Sequence, residues 1–498
     1  MPRTAPDAPP PAAAPAWRAA LDPRAPFQLP LVLMAACRLA LGARIPRAGE
    51  DAYITFRYAW NWAHGLGPVF NAGERVLGVT SPPWLAWLAI GIRLGADPNA
   101  WARGTLLVAD AATMCALGSL LERHASRTAA WCFALFFAAW PYWSGLWCSG
   151  LETGALLALV ALTAWSIDRR HVLAGVALGL LAIVRPEGLL AALALAFWAR
   201  GRDRLVAGAM LATTLLALTL YYGSPLPQSV LAKWTAYGAP GPLKAPQWWE
   251  WALPLTLPIS AATPEGSNLF PLTVLAAPAA VAGAMALWSR RASALAGAAL
   301  ALATTWALLL ASGASFFFWY LAAPLAGFAL LASIGLPRLV RGRLVYASLA
   351  LLVGGQWFYQ VALYRGRADS ERELFGGAAR YLAAHARAGE SLLLEPIGTI
   401  GWECRDLRVM DDVGLVTPEA ASRRKDGPGW YAALLESRRP DWLLVRAGLL
   451  QGQSAFAGPT APFRDVDEGR RALAAFEYAG VVDSLAGEQA LVVFRRRR

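Results

Sequence analysis

About eleven apolar stretches punctuate this chain, at approximately 28–45, 99–121, 128–147, 151–167, 171–185, 188–199, 205–222, 268–288, 293–312, 317–334 and 344–363. Most are roughly 17 to 23 residues long, enough to cross the hydrocarbon core of a bilayer as helices. No other feature limits the fold as strongly, because a backbone in lipid must satisfy its own hydrogen bonds. Composition agrees: 57% of the 498 residues are hydrophobic, 16% are charged and 23 are Trp, too apolar a balance for a soluble protein of this length. The expected fold is an α-helical polytopic membrane protein with about 11 transmembrane helices.

The net charge of +12 raises the question of nucleic acid, but the arginines stand in short clusters between apolar stretches and not on one basic face. They serve better as topology signals. With a cytoplasmic N-terminus, Arg123/Arg127, Arg169/Arg170, Arg200/Arg202/Arg204, Arg290/Arg291 and Arg338/Arg341/Arg343 all fall on the cytoplasmic side, as the positive-inside rule requires. This needs "SPPWLAWLAIGIRLGA" (81–96) to be an interfacial or re-entrant helix: it is short, opens on Pro82-Pro83 and contains Arg93. Residues 1–27, rich in Pro and Ala, read as a disordered cytoplasmic tail, and 28–365 as the transmembrane domain. From 366 to 498 charged residues recur throughout, with strand-like "SLLLE", "DWLLVR" and "ALVVFR" and a helical "AARYLAAHARAGE", the pattern of a small α/β domain outside the membrane. The five cysteines have no metal-ligand spacing and read as small buried hydrophobes.

The polar material then collects on the outer face, beginning in the first outer loop, 46–98. There "EDAYITFRYAWNWAH" places Arg57, Asn61 and His64 on one helical face, with Tyr53, Phe56, Trp60 and Ala63 as the adjoining apolar stripe. The expectation is an amphipathic helix lying at an interface. Glu50-Asp51 opens it. Adjacent carboxylates at a membrane rim repel, so one tends to have a raised pKa, and a partly desolvated carboxylate is a competent general base. Outside that loop, Glu152 stands at the start of a span, where a carboxylate also favours the helix N-terminus. Arg185 precedes Pro186 at a helix break and could pair with Glu187 or Glu152. Lys233 follows a span closely enough to be an interfacial anchor. Asp411-Asp412 reads as a solvated loop, though Gly398, Gly401 and Gly414 nearby mark a demanding turn that could face a cavity.

"EDAYITFRYAWNWAHGLGPVFNAGERVLGVTSPPW" resembles the first outer loop of C-type integral-membrane glycosyltransferases, which use polyprenyl-phosphate sugars, and most of all the family of the mycobacterial terminal arabinofuranosyltransferase. "SGLET" (149–153), "RPEG" (185–188), "YYGSPLPQSVLAKW" (221–234), "FFFWYLAAPL" (316–325) and "EPIGTIGWECRDLRVMDDVGLVTPE" (395–419) follow in the order that resemblance requires. In that family the first outer loop carries an acidic pair, commonly Asp-Asp; here the first member is Glu. The resemblance implies Asp51 as the base that deprotonates the acceptor hydroxyl and Glu50 as a second acid that orients it. Divalent-metal binding by the pair is the other role the family allows, although no His/carboxylate cluster completes a site. The sugar leaves through an oxocarbenium-like state while charge grows on the phosphate. Lys233 is the first candidate to hold that phosphate, with Arg57, Arg75 and Arg185 behind it; His64, Asn61, Glu152 and Tyr222 are candidates for substrate contact.

The expected activity is therefore an inverting transfer of a sugar, possibly arabinofuranose, from a polyprenyl-phosphate donor to an envelope glycan or lipid acceptor. It would occur on the outer face of a bacterial cytoplasmic membrane, with membrane lipid as surroundings and no nucleic-acid partner. Inversion follows from one base and no evident nucleophile. A lipid-linked-sugar flippase would also need outer cations, but a transporter should show internal repeats and mid-membrane polar groups. A glycan ligase or polymerase would differ only in its donor.

Overall fold

The computed structural model describes residues 27–237, 270–291, 293–312, 317–340, 342, 344–450, 461–483 and 490–497; the expected N-terminal tail and the outer loop beyond Tyr237 lie outside them, apart from Phe27. Proline and glycine set most of the helix boundaries. α1 (Gln28–Gly42) leads to α2 (Glu50–Ala63), which carries both acids in its first turn, and to the short α3 (Pro82–Arg93). α4 (Pro98–His124) starts on Pro98, whose missing N–H is no loss at that position; the Asp97 side chain accepts from the Ala100 N–H at 2.8 Å. α5 (Arg127–Ala139), α6 (Pro141–Ser149) and α7 (Thr153–Asp168) follow, then α8 (Ala174–Val184), α9 (Pro186–Ala196), α10 (Gly201–Tyr222) and α11 (Gln228–Tyr237). α12 (Phe270–Trp288), α13 (Ala294–Ser312), a 3-10 turn over Phe318–Leu321, α14 (Ala322–Leu339) and α15 (Leu344–His385) complete the helical part.

Among the described residues, Pro98–His124, Gly201–Tyr222 and Phe318–Leu339 are long and apolar enough to cross a membrane, and α6 with α7 qualifies as a pair bent by 114°. α10 exposes Leu205 and Leu220, each 76% accessible, as a lipid-facing helix would. α8 and α9 are 11 residues each and rise only about 16 Å; Arg185, in an extended conformation before Pro186, separates them. The apolar run 128–147 is not one helix. Pro141 lacks the N–H that the Phe137 carbonyl needs, and the chain breaks at Trp140. Arg38, wholly buried, supplies the lost donors: Nη2 reaches the Phe137 carbonyl and Nη1 the Ala138 carbonyl, both at 3.1 Å, while Nε pairs with Asp110 at 2.9 Å. α12 and α14 meet through glycines, since a Cβ on Gly283 would collide with the Leu331 carbonyl and one on Gly335 with the Ala279 carbonyl.

α15 runs unbroken for 42 residues, past the Arg365 boundary read from composition, and carries the chain into the C-terminal domain. There β1 (Ser391–Leu394), β2 (Arg408–Asp411), β3 (Trp442–Arg446), β4 (Phe476–Asp483) and β5 (Ala490–Arg496) form a sheet of order β2-β1-β3-β5-β4, parallel for β1 with β2 and β3, antiparallel for β5 with its two neighbours. The three expected strand segments are β1, β3 and β5. α16 (Gly398–Glu403), α17 (Pro418–Lys425), α18 (Trp430–Arg438), α19 (Ala447–Leu450) and α20 (Val466–Leu473) surround it.

Arg57 and Asn61 on the polar face of α2 do not look at water; His64, at its C-cap, does. Arg57 is 2% exposed and donates from Nε to the Phe70 carbonyl (2.8 Å), from Nη1 to Gly401 (2.6 Å) and from Nη2 to Leu407 (2.8 Å) and Asn71 Oδ1 (3.1 Å). Asn61 donates to the Val69 and Phe70 carbonyls at 2.9 Å. Burial lowers the Arg57 pKa to about 10, which leaves it charged at neutral pH. One side chain thus joins α2, the 69–71 turn and the C-terminal domain. Arg57→Met should destabilise the protein by on the order of 3 kcal/mol, because several carbonyls lose their donors together; thermal unfolding in detergent and protease sensitivity of the C-terminal domain measure it.

Candidate active site

The N-terminus of α2 sits where two cavities meet. Gly49, in extended conformation, hands its N–H to the Ser149 carbonyl at 3.0 Å, which fixes the two acids beside the α6–α7 bend. The smaller cavity, about 270 Å³, is lined by Arg47, Glu50, Asp51, Glu371, Glu395 and Arg446 among others. The larger, about 340 Å³, includes Asp51, Glu152, Arg185, Ser229, Lys233 and Tyr320 in its wall. Asp51, Leu151, Phe317 and Trp319 border both. Asp51 alone of the two acids reaches each cavity.

Glu50 faces the C-terminal domain. Its Oε1 accepts from the Gly398 N–H and, at 3.3 Å, from the Thr399 N–H; a Cβ on Gly398 would strike the Glu50 carbonyl oxygen, so only glycine allows this approach. Burial first, then the negative Asp51 and a hydrogen bond to it, push the Glu50 pKa well above the ordinary glutamate value. Burial and the neighbouring carboxylate thus push the Glu50 carboxyl toward its neutral form. Lys233 Nζ stands 3.7 Å from Asp51 Oδ2, the two side chains 29% and 34% exposed, and lies 4.7 Å above the Phe317 ring. Burial alone would lower the lysine pKa; Asp51, with Tyr320 and Glu152, outweighs it and raises it.

The other candidates divide. Arg185 and Glu152 line the larger cavity and are paired with each other, and Arg185 Nε also bonds Glu187 at 2.5 Å, the rim-holding arrangement open to them from sequence. Arg57 and Asn61 are the buried clamp already described. Arg75 is exposed and stacks on Tyr221 at 4.9 Å. His64 is exposed, its Nδ1 2.8 Å from the Trp60 carbonyl. Tyr222 donates to the Pro68 carbonyl at 2.5 Å. None of these five lines either cavity. Asp411-Asp412 is not a solvated loop: Asp411 is wholly buried and accepts N–H bonds from Leu415, Val416 and Thr417, while burial pushes Asp412 up to about 7 beside Arg424. The turn they shape, with Gly414 at φ +94°, carries Leu415 to the larger cavity.

Among the described residues no group of three His, Cys, Asp or Glu side chains is gathered as a metal site. Glu50 Oε1 is taken by backbone N–H groups, and an ammonium stands beside Asp51. Reading the sequence missed Ser229, Trp319 and Tyr320 as cavity residues and the Glu371, Glu395 and Arg446 contribution from α15 and the C-terminal domain. Ser229 had a signal, its i, i+4 spacing to Lys233; the last three had none.

The chain is similar to several known proteins. A family model described as a domain of unknown function (DUF8728) matches residues 362–493. The terminal beta-(1->2)-arabinofuranosyltransferase of Mycobacterium tuberculosis is 31% identical over 217 residues, 37% of this chain and about a third (34%) of that enzyme's length. ArnT from Cupriavidus metallidurans bound to undecaprenyl phosphate superposes with a TM-score of 0.60 at 12% identity, covering 93% of this chain and 97% of that one. The archaeal oligosaccharyltransferase AglB from Archaeoglobus fulgidus, in complex with an inhibitory peptide and a dolichol-phosphate, gives 0.53 at 11% identity over 93% and 74%. In fold, the chain is similar to both of these membrane proteins over most of its length.

Glu50→Gln keeps an oxygen for Gly398 and a donor for Asp51, so it should fold and work nearly as the native protein does, whereas Glu50→Ala should lose both contacts. The raised pKa also sets a pH dependence. Stability from the protonated acid is whole below the ordinary glutamate pKa of about 4.3 and is lost as pH rises toward the folded-state value. Melting temperature between pH 5 and 9 should fall less steeply for Glu50→Gln than for the native protein.

Proposed function

We propose that this protein is an inverting glycosyltransferase that moves a sugar from a polyprenyl-phosphate donor to an envelope glycan or lipid acceptor. The observation that carries the reading is Asp51, a carboxylate bordering two cavities, with one ammonium beside it in the larger. That larger cavity has an apolar wall of Phe317, Trp319 and Tyr320, and Trp234 next to Lys233 is 70% exposed, a surface suited to a lipid tail at the membrane rim. It takes the donor in this reading. The smaller cavity, with carboxylates and guanidinium groups on its wall, suits the hydroxyls of an acceptor.

The acceptor hydroxyl loses its proton to Asp51 as its oxygen bonds the anomeric carbon from the face opposite the phosphate. The anomeric C–O bond breaks, and polyprenyl phosphate leaves with its new charge held by Lys233. Glu50, held by the Gly398 and Thr399 N–H groups, orients Asp51. Similarity of fold to the two superposed structures, and the lipid phosphates those structures hold, support a lipid-phosphate donor; the arabinofuranosyltransferase match supports arabinofuranose among the possible sugars. With about eleven spans, a cytoplasmic N-terminus and the arginine clusters inside, both cavities and residues 366–498 would lie outside a bacterial cytoplasmic membrane.

Asp51→Asn fills the same space without accepting a proton. It should remain in the membrane at near-native amounts and lower turnover by a factor on the order of a hundred or more, read as transfer from a synthetic polyprenyl-phosphate sugar. Transfer at the native rate would sink the assignment. Lys233→Ala should impair donor use far more than abundance, with partial recovery in Lys233→Arg; unchanged donor kinetics would leave Lys233 an interfacial anchor.

A further inference from the structure

Ser229 and Lys233 are four residues apart on α11 and share a helical face; both line the larger cavity. Ser229 is 4% exposed, and its hydroxyl has no hydrogen-bond partner among the described residues. A buried hydroxyl without a partner is destabilising, so its persistence beside a cavity calls for an occupant that bonds it. Rotation about χ1 alone carries Oγ between its staggered positions. Ser229 also belongs to the first turn of α11, the positive end of the helix, where the Gln228 and Val230 N–H groups are already bonded to the Leu77 and Pro227 carbonyls.

The helix bearing these two groups is held firmly. The Gln228 N–H bonds the Leu77 carbonyl at 2.7 Å, its Nε2 donates to the Gly414 carbonyl at 3.0 Å, and Ala232, wholly buried, packs on Val413 and Ala421. The Asp411 turn of the C-terminal domain therefore fixes where Ser229 and Lys233 stand. An ammonium, a hydroxyl needing a partner and a helix N-terminus on one face make an anion site, and the anion of the proposed reaction is a phosphate.

We propose that Ser229 is a second ligand of the donor phosphate, its hydroxyl donating to a phosphate oxygen beside the Lys233 ammonium. This rests on the reading of the larger cavity as the donor site. The experiment is binding of undecaprenyl phosphate, which carries no sugar, to the purified full-length protein in detergent, compared with undecaprenol and with inorganic phosphate. Ser229→Ala should raise the melting temperature of the ligand-free protein, because the unpartnered hydroxyl is gone, and should weaken undecaprenyl phosphate binding about tenfold. Ser229→Thr should bind nearly as the native protein does, and undecaprenol should not distinguish the three. A loss in Ser229→Ala that inorganic phosphate reproduces assigns the contact to the phosphate group itself; one seen only with undecaprenyl phosphate assigns it to the phosphate as the lipid presents it. Native affinity of Ser229→Ala for undecaprenyl phosphate, or an equal loss for undecaprenol, would overturn the role of Ser229 and leave the donor site standing. Failure of the native protein to bind undecaprenyl phosphate would overturn both.

Discussion

A single buried guanidinium holds the site's frame together. Arg57 takes carbonyls from the 69–71 turn and from two segments of the C-terminal domain, and Glu50, two turns earlier on the same helix, is pinned by backbone N–H groups of Gly398 and Thr399. The walls of the smaller cavity come from α2 and the connection before it, the α6–α7 bend, residues 317–319, α15, the β1–α16 connection and β3. That cavity exists only while the C-terminal domain is docked. The domain contributes to the larger cavity as well, through Leu415 and the turn that buttresses α11. What composition separates as a membrane part and a soluble part is one piece of machinery around Asp51.

This explains which residues could be read from the sequence. Glu50 and Asp51 stood out in the sequence as adjacent carboxylates directly after an apolar span, and Lys233 through the resemblance of the 221–234 segment; the structure brings Lys233 beside Asp51. The strands in "SLLLE", "DWLLVR" and "ALVVFR" were legible because short apolar runs between charged segments have few other uses. Arg57 and Asn61 misled for a definite reason: their partners are backbone carbonyls, which carry no signature in sequence, so a polar face buried against carbonyls has the same pattern as one facing water. Asp411 misled in the same way, since its partners are three backbone N–H groups. The break at Trp140–Pro141 was hidden by apolar residues on both sides, and the residue that heals it, Arg38, lies 99 positions before Phe137.

The two cations of the larger cavity are not equivalent, and the difference follows from their partners. Arg185 faces two carboxylates, Glu152 and Glu187, at 6% exposure, so that trio carries a net negative charge and a phosphate would meet repulsion there. Lys233 faces one carboxylate at 3.7 Å, and both groups remain about a third exposed, a pair of the kind that contributes little to stability. Such a pair opens at small cost. In the proposed reaction a phosphate entering beside Lys233 would draw the ammonium from Asp51, leaving the carboxylate uncompensated and available for the acceptor's proton. Donor binding would thus prepare the base, and Arg185 would keep Glu152 and Glu187 from competing for the ammonium. The order this imposes, donor before proton transfer, guards against stray deprotonation in a site open to water on its other side.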